Sequence, residues 1–172
     1  MIEFKPFTID YAAEYSSIRN VPEVLDNGYD RTPNPFTEKD AVEYITKEIG
    51  KSPSERFFIF WNGKLAGEIG ISIQEDVFRL NAEIGYFVGK EFWGQGIASK
   101  AVERMTAYAF DKFNIVRIVA GVFDFNKSSM KVLEKNGYYL ECIRKNAVIK
   151  NGKIFDDYIW VKLKDETPIA NN

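Results

Sequence analysis

The chain has 172 residues, which suits one domain with a full hydrophobic core, and 45% of them are hydrophobic while 28% are charged. This composition is typical of a soluble globular protein and argues against disorder. The net charge of −2 lacks the basic excess of most nucleic-acid-binding proteins, and the absence of histidine excludes Ser-His-Asp triads, Cys-His pairs and HExxH zinc sites.

The first third of the chain predicts one strand followed by two helices. In chain order these elements are a strand at 2–8, a helix at about 9–19, a proline-rich loop with one helical turn at 20–36, and a helix that ends near residue 49. Thr37 is the expected N-cap of this last helix because Asp40 stands three positions after it, as in a capping box.

Three strands are predicted next, at 56–61, 64–74 and 79–89. The dipeptide Asn62-Gly63 joins the first two, and Asn-Gly between two apolar runs is the strongest short signal of a β-hairpin. We therefore expect three antiparallel strands in succession.

The second half of the chain alternates helices and strands. Apolar residues recur at helical spacing over about 95–112, and the nearly continuous apolar run at 115–123 is typical of a strand buried on both faces. A shorter helix is expected from a cap at Asn126 to about residue 136, because Gly137 would end it.

The segments "YYLECIRKNAVI" and "KIFDDYIWVKL" complete the chain as two strands around a second Asn-Gly pair. The resulting order, β-α-α-β-β-β-α-β-α-β-β, describes one mixed α/β domain over residues 1–164, with about seven strands in a central sheet and about four helices on its faces. Residues 165–172 are expected to form a frayed tail.

No segment of the sequence predicts a membrane span or an export signal. The stretch "MIEFKPFTIDYAAEY" has early acidic residues and no unbroken apolar core, and no run approaches the roughly 18 apolar residues that span a bilayer. We expect a cytoplasmic protein that binds neither membrane nor nucleic acid. The sequence leaves a homo-oligomer open.

The single cysteine, Cys142, restricts the chemistry further. It cannot form an intrachain disulfide or a multi-cysteine zinc site, and its place in a predicted strand suggests a half-buried filler. We therefore expect no metal. Any proton transfer must use Glu, Asp, Tyr, Lys, Cys or water.

The stretch "GKEFWGQGIASK" at 89–100 marks a special helix start, because Gly94 and Gly96 stand where an extended segment becomes a helix. A sharp corner, a dinucleotide fingerprint and a diphosphate-binding helix N-terminus all fit two glycines. The fingerprint is disfavoured because Ser99 replaces its third glycine and the turn follows antiparallel strands. Free N–H groups at a helix start favour an anion, and without a Gly-Lys-Ser/Thr ending we expect a diphosphate held by backbone amides, as in coenzyme A.

Two separated motifs resemble the GNAT N-acetyltransferases. "GYFVGKEFWGQGIASKAV" is similar to the acetyl-CoA-binding motif Gln/Arg-x-x-Gly-x-Gly/Ala, and "FDFNKSSMKVLEKNGYYLECIRK" is similar to the second half of the same signature. The stretches "TPNPFTEKDAVEYI" and "NGKIFDDYIWVKL" resemble the branch that contains the RimJ/RimL-like ribosomal-protein N-terminal acetyltransferases. The resemblance implies the GNAT fold, a mixed sheet whose first half is antiparallel and whose middle holds a splayed parallel pair.

The resemblance also implies where acetyl-CoA binds. The pantetheine arm would lie along the backbone of Tyr86, Phe87 and Val88, where an N–H can polarise the acetyl carbonyl. Asn126 would hydrogen-bond the arm, with Ser128 and Ser129 nearby. The amides expected to hold the pyrophosphate are those of Trp93, Gly94, Gln95, Gly96, Ile97 and Ala98.

The implied reaction is direct attack of an unprotonated amine on the thioester, which needs a base to deprotonate the amine at neutral pH. Glu83 stands where many relatives carry that carboxylate, and Glu68 on the neighbouring predicted strand is the reserve candidate. For both, the plain alternative is an outward-facing strand carboxylate.

The sequence departs from the family pattern at two positions. Leu133 stands where many relatives place a tyrosine that protonates the leaving thiolate, so that Ser129 or a water would have to substitute, or the thiolate leaves unaided because a thiol pKa is about 8.5. Glu91 stands where the motif has Gln or Arg, so only a backbone role is carried over there.

The acceptor is expected to enter between the first helices, the loop at 27–36 and the last hairpin. Aromatic and acidic side chains there suit a cationic amine, although they also describe an ordinary core edge. These side chains are Tyr29, Phe36, Trp61, Tyr138, Tyr139 and Phe155 with Asp26, Asp30, Asp156 and Asp157. The branch resemblance favours a protein N-terminal α-amine. Polyamines and aminoglycosides are alternative acceptors, and a non-catalytic acyl-CoA-binding module is an alternative function.

Overall fold

A computed structural model describes residues 1–164 of the chain. The strands are β1 Ile2–Lys5, β2 Arg56–Trp61, β3 Lys64–Ile73, β4 Asn81–Val88, β5 Arg117–Phe123, β6 Tyr139–Lys150 and β7 Lys153–Leu163. The helices are α1 Ala12–Arg19, α2 Pro22–Leu25, α3 Glu38–Glu48, α4 Ile97–Lys112 and α5 Lys127–Lys135. The predicted tail at 165–172 lies outside the described residues.

Local sequence signals set most element boundaries. Thr37 and Asp40 form the predicted capping box at the start of α3, in which each side chain accepts from the other residue's backbone N–H. Both Asn-Gly pairs adopt positive φ, with 49° and 81° at Asn62-Gly63, as a tight hairpin turn requires. The sequence predicted about four helices, and the fifth is α2, a single turn within the loop where one helical turn was expected.

The seven strands form one sheet in the order β1-β2-β3-β4-β5-β7-β6. Every pair is antiparallel except β4 and β5, which run parallel and are paired only between Asn81–Glu83 and Arg117–Val119. Beyond Glu83 the two strands separate. The predicted mixed sheet with a splayed parallel pair is confirmed.

The sheet separates two hydrophobic cores. One core packs α4 and α5 against residues such as Ile69, Ile84 and Ile118. The other packs α1 and α3 against Phe58 and Phe60 and is dominated by aromatic rings. Because successive strand residues point to opposite faces, neighbouring residues of β4 belong to different cores.

The expectation for Cys142 was wrong, because this side chain is exposed. The physical reason is its position on β6, an edge strand of the sheet, where most residues face solvent. Among residues 1–164, no helix is long and apolar enough to cross a membrane.

Candidate active site

A cavity of about 580 Å³ opens where β4 and β5 separate. Its walls come from the separated parts of both strands, from the loop between α2 and α3, from one face of α3, from β3 at Glu68, and from the start of α5. Glu83, Tyr86, Asn126 and Ser129 all line it. Residues from two motifs that are distant in the sequence therefore meet in one place.

The backbone of β4 presents alternate residues to the gap. Gly89 N–H donates to Ala66 and Gln74 N–H donates to Asn81, so the odd-numbered residues of β4 bond to β3. Beyond the last pair, Glu83 and Val119, the backbone groups that face β5 without a ladder partner are those of Tyr86 and Val88.

Because of this alternation, the three residues expected to hold the pantetheine arm do not all direct their backbone groups into the gap. The backbone groups of Tyr86 face the gap. Phe87 directs its backbone groups toward Glu68 on β3, and it instead lines the cavity with its ring. The carbonyl of Val88 accepts a hydrogen bond from the Trp93 indole at 2.7 Å, which leaves its N–H on the gap side.

Glu83 lies at the point where the strands separate and is half-buried. Tyr29, from the loop between α2 and α3, donates a hydrogen bond to Glu83 Oε1 at 2.9 Å. Burial, followed by the charge of Glu83, raises the pKa of Tyr29 to about 12, so the phenol stays protonated and donates at neutral pH. An amine that binds Glu83 would share or displace this hydrogen bond.

Glu68, the reserve base, is buried and occupied by other partners. Its Oε1 accepts from the Tyr44 hydroxyl at 2.6 Å and from Arg56 Nη1 at 3.2 Å. Its Oε2 accepts from the Tyr15 hydroxyl and from Arg19 Nη1 at 3.1 Å. Burial and the nearby Glu68 raise the pKa of both tyrosines well above the usual range, so both remain donors. With both oxygens engaged, Glu68 is placed to hold α1 and α3 on the sheet.

Asn126 begins α5 and organises the residues after it. Its Oδ1 accepts from the Ser129 backbone N–H at 3.1 Å and from the Ser128 hydroxyl at 3.0 Å. This cap occupies the oxygen of Asn126, so only its amide NH₂ is available to a ligand.

Ser129 meets Tyr86 across the cavity. Its hydroxyl oxygen lies 2.8 Å from the Tyr86 hydroxyl oxygen. Leu133, one turn further along α5, is completely buried and contributes only to the core. Of the two serines in this turn, Ser129 is the one that lines the cavity.

The glycine turn between β4 and α4 has the geometry expected of a backbone anion site. Gly94 and Gly96 have φ of 75° and 72°, and a Cβ at either position would point into open space. Gly96 is the N-cap of α4 and offers no side chain, so the first helical N–H groups are not capped by one. Glu91 is exposed in the short 3₁₀ turn before the glycines.

The expected acceptor residues are only partly in place. Tyr29 and Phe36 line the cavity. The expectation was wrong for Tyr138, which is buried against α4 with its hydroxyl 2.7 Å from that of Thr106. It was also wrong for Trp61, which packs on the α4 core beside Lys100.

The loop at 27–36 is tied to the last hairpin. The buried Lys150, at the end of β6, donates to the Gly28 carbonyl at 2.9 Å and to Asp30 at 2.7 Å. Asn151 in the hairpin turn donates to Asp26 at 3.0 Å. These contacts position Tyr29 over Glu83. Lys150 was not predicted from the sequence, because no local pattern signals a contact between residues this far apart.

Within the described part of the chain, no group of three or more acidic, histidine or cysteine side chains could hold a metal ion.

Comparisons with known proteins agree with this architecture. A family model for the acetyltransferase (GNAT) domain matches residues 2–139. The uncharacterized N-acetyltransferase p20 of Bacillus licheniformis is 30% identical over 138 residues, which cover 77% of each chain. The ribosomal-protein-serine acetyltransferase of Escherichia coli is 29% identical over 112 residues, covering 65% of this chain and 62% of that protein.

A solved structure gives a similar fold with ligands bound. The microcin C7 self-immunity acetyltransferase MccE, in complex with acetyl-CoA and AMP, superposes with a TM-score of 0.81 and 25% sequence identity. The superposition covers 95% of this chain and 92% of that chain. The chain therefore belongs to the GNAT acetyltransferase family and is an acetyl-CoA-dependent N-acetyltransferase, which confirms the predicted resemblance and reaction class.

Proposed function

We propose that residues 1–164 form one domain that moves an acetyl group from acetyl-CoA to a protein N-terminal α-amine. The observation that supports this proposal is the placement of Glu83 and Ser129 on opposite faces of the sheet, in one cavity at the β4–β5 gap. Glu83 shares its face with Phe87 and the α1–α3 core, whereas Tyr86 and Ser129 lie on the α4–α5 side.

The donor side of the site fits coenzyme A. The gap-facing backbone groups of Tyr86 and the N–H of Val88 would hold the pantetheine arm, together with the amide NH₂ of Asn126. Ser128 would support the cap. The amides of Gly94, Gln95, Gly96, Ile97 and Ala98 would hold the diphosphate, since a helix N-terminus favours an anion. The Trp93 N–H already donates to the Lys90 carbonyl at 3.2 Å. The diphosphate would therefore be held by the amides that follow Trp93.

The chemistry divides between the two faces. Acetyl-CoA supplies a thioester, whose acetyl carbon accepts the amine. Glu83 removes a proton from the incoming ammonium so that the nitrogen lone pair is free. A β4 backbone N–H facing the gap donates to the acetyl oxygen as negative charge develops there. Ser129, on the other face, donates to the sulfur that leaves.

The acceptor is assigned from the branch of the family and from the shape of the site. The chain resembles ribosomal-protein acetyltransferases in sequence, the E. coli enzyme among them. Tyr29 and Glu83 form an aromatic and acidic entrance, which suits a cationic α-amine. We propose that this reaction takes place in the cytoplasm.

An acceptor panel tests the proposal. Purified protein is assayed for thiol release from acetyl-CoA with ribosomal-protein N-terminal peptides, spermidine and aminoglycosides. We expect kcat/KM for at least one peptide to exceed that for every small amine. Transfer to spermidine or an aminoglycoside alone would assign a small-molecule acetyltransferase. Binding of acetyl-CoA without transfer to any amine would assign a non-catalytic acyl-CoA-binding module.

The glycine turn gives a separate test of the donor site. Gly96→Ala is expected to weaken acetyl-CoA binding about five- to tenfold, because alanine at positive φ costs about 1–2 kcal/mol and relieving that strain rotates the amides away from the anion. The measurement is the dissociation constant from isothermal titration with acetyl-CoA.

Gly63→Ala is the matched control for this variant. Gly63 has a similar φ of 81° and equally open space around it, but it lies in the β2–β3 hairpin turn. It should lose comparable thermal stability while binding acetyl-CoA normally. Equal dissociation constants for Gly96→Ala and the wild type would contradict a role of this turn in donor binding.

A further inference from the structure

We propose that Tyr86 positions Ser129, the acid that protonates the leaving group. The Tyr86 phenol fixes the Ser129 hydroxyl so that Ser129 can donate to the departing sulfur. The inference rests on the proposed function. It names the groups that protonate the leaving sulfur in a chain that has Leu133 where many relatives have a tyrosine.

The first observation is the geometry at the start of α5. The Tyr86 hydroxyl lies 2.8 Å from Ser129 Oγ and 3.4 Å from the Ser129 carbonyl oxygen. The backbone of Ser129 is fixed independently, because its N–H donates to the Asn126 cap. Ser129 is therefore held at two points, at its backbone by α5 and at its hydroxyl by β4.

The second observation is the environment of the Tyr86 ring. The ring is packed against the α4 core, so its hydroxyl cannot swing away from Ser129 without disturbing that core. Burial raises the pKa of Tyr86 to about 12, although the hydrogen bond to Ser129 acts in the opposite direction. The phenol consequently keeps its proton at neutral pH.

Either hydroxyl can donate in the Tyr86–Ser129 hydrogen bond, and the proposal takes Tyr86 as the donor. A serine hydroxyl has one proton and two acceptor lone pairs. When the Tyr86 phenol donates to Ser129 Oγ, the proton of Ser129 is free to point into the cavity. Removal of the phenol would let the serine hydroxyl rotate, and its proton would then be directed toward the sulfur only part of the time.

The reaction balances with these groups. The amine nitrogen forms a bond to the acyl carbon, and the carbon–sulfur bond breaks with its electron pair on sulfur. The ammonium gives one proton to Glu83 before the attack and the nitrogen gives a second as the amide forms, and the sulfur takes its proton from Ser129. Ser129 recovers a proton from solvent in the cavity, Glu83 releases its protons to solvent, and Tyr86 keeps its own proton throughout. One ammonium and one thioester give one amide, one thiol and one proton.

The test is a double-mutant cycle in kcat with Tyr86→Phe and Ser129→Ala, using acetyl-CoA and the best acceptor of the panel. Tyr86→Phe removes only the hydroxyl and keeps the ring in the core. We expect kcat to fall about fivefold, the net value of one hydrogen bond, while KM for acetyl-CoA is unchanged. In the Ser129→Ala background the same change should have no further effect, because Tyr86 acts through Ser129.

Tyr138→Phe is the matched control, since Tyr138 is another buried tyrosine whose hydroxyl is bonded to a hydroxyl, that of Thr106, on α4. It should leave kcat unchanged. A wild-type kcat in Tyr86→Phe, or losses that add in the double variant, would overturn this inference while the proposed function stands. No transfer by the wild-type protein would overturn both.

Discussion

Replacing Glu83 by glutamine is expected to lower kcat more than tenfold while the affinity for acetyl-CoA stays nearly the same. Glutamine keeps the size of the side chain and still accepts a hydrogen bond from Tyr29, but it cannot take a proton from the amine, and positioned general bases contribute about 10²–10⁴-fold to rate. Steady-state kinetics with saturating acceptor, together with titration of acetyl-CoA, measure the two quantities separately.

Glu75→Gln is a suitable control because Glu75 is an exposed glutamate just after β3 and outside the cavity. It should behave as the wild type. Wild-type turnover in Glu83→Gln would remove Glu83 from the role of base. A large loss of acetyl-CoA affinity would instead show that the substitution disturbs the donor site.

Replacing Glu68 by alanine is expected to lower the free energy of unfolding by about 3–5 kcal/mol. The reason is that Arg19 and Arg56, each with a side chain 20% exposed, would lose the buried carboxylate that pairs with both. Tyr15 and Tyr44 would lose the same acceptor. Urea denaturation followed by circular dichroism measures the change.

Two further variants separate stability from catalysis. Glu141→Ala removes an exposed carboxylate paired with Arg117, and it should cost at most about 1 kcal/mol. Glu68→Gln keeps an acceptor oxygen in the network and should remain folded at assay temperature. If folded Glu68→Gln lost as much turnover as Glu83→Gln, Glu68 would share the catalytic role and our assignment of it as a structural residue would be wrong.

The elements that could be predicted are those set by interactions within a few residues. The Thr37–Asp40 capping box and the two Asn-Gly turns are local, so their sequence patterns determine the backbone directly. The splayed pair is different. No pattern in β4 or β5 shows that their pairing stops after Glu83, and this expectation came from the resemblance to a family.

The contacts of the candidate site could not be predicted, because they join residues that are distant in sequence. Glu68 receives donors from four residues that stand 12 to 53 positions away, and the Tyr86–Ser129 contact spans 43 positions. Spacing rules relate neighbours on one helix or strand and do not reach so far. The prediction of a half-buried Cys142 was wrong for a related reason, since strand propensity does not show which strand lies at an edge of the sheet.

The tie between Lys150 and the loop at 27–36 has a consequence for how such enzymes diversify. It joins two segments 122 positions apart, and the last hairpin lies beyond residue 139, where the match to the family model ends. The proposed donor groups on β4, α4 and α5 belong to neither segment. Changes in the loop and hairpin could therefore accumulate as a coupled pair and redirect the enzyme to another amine, while the machinery for the shared acetyl donor is inherited intact.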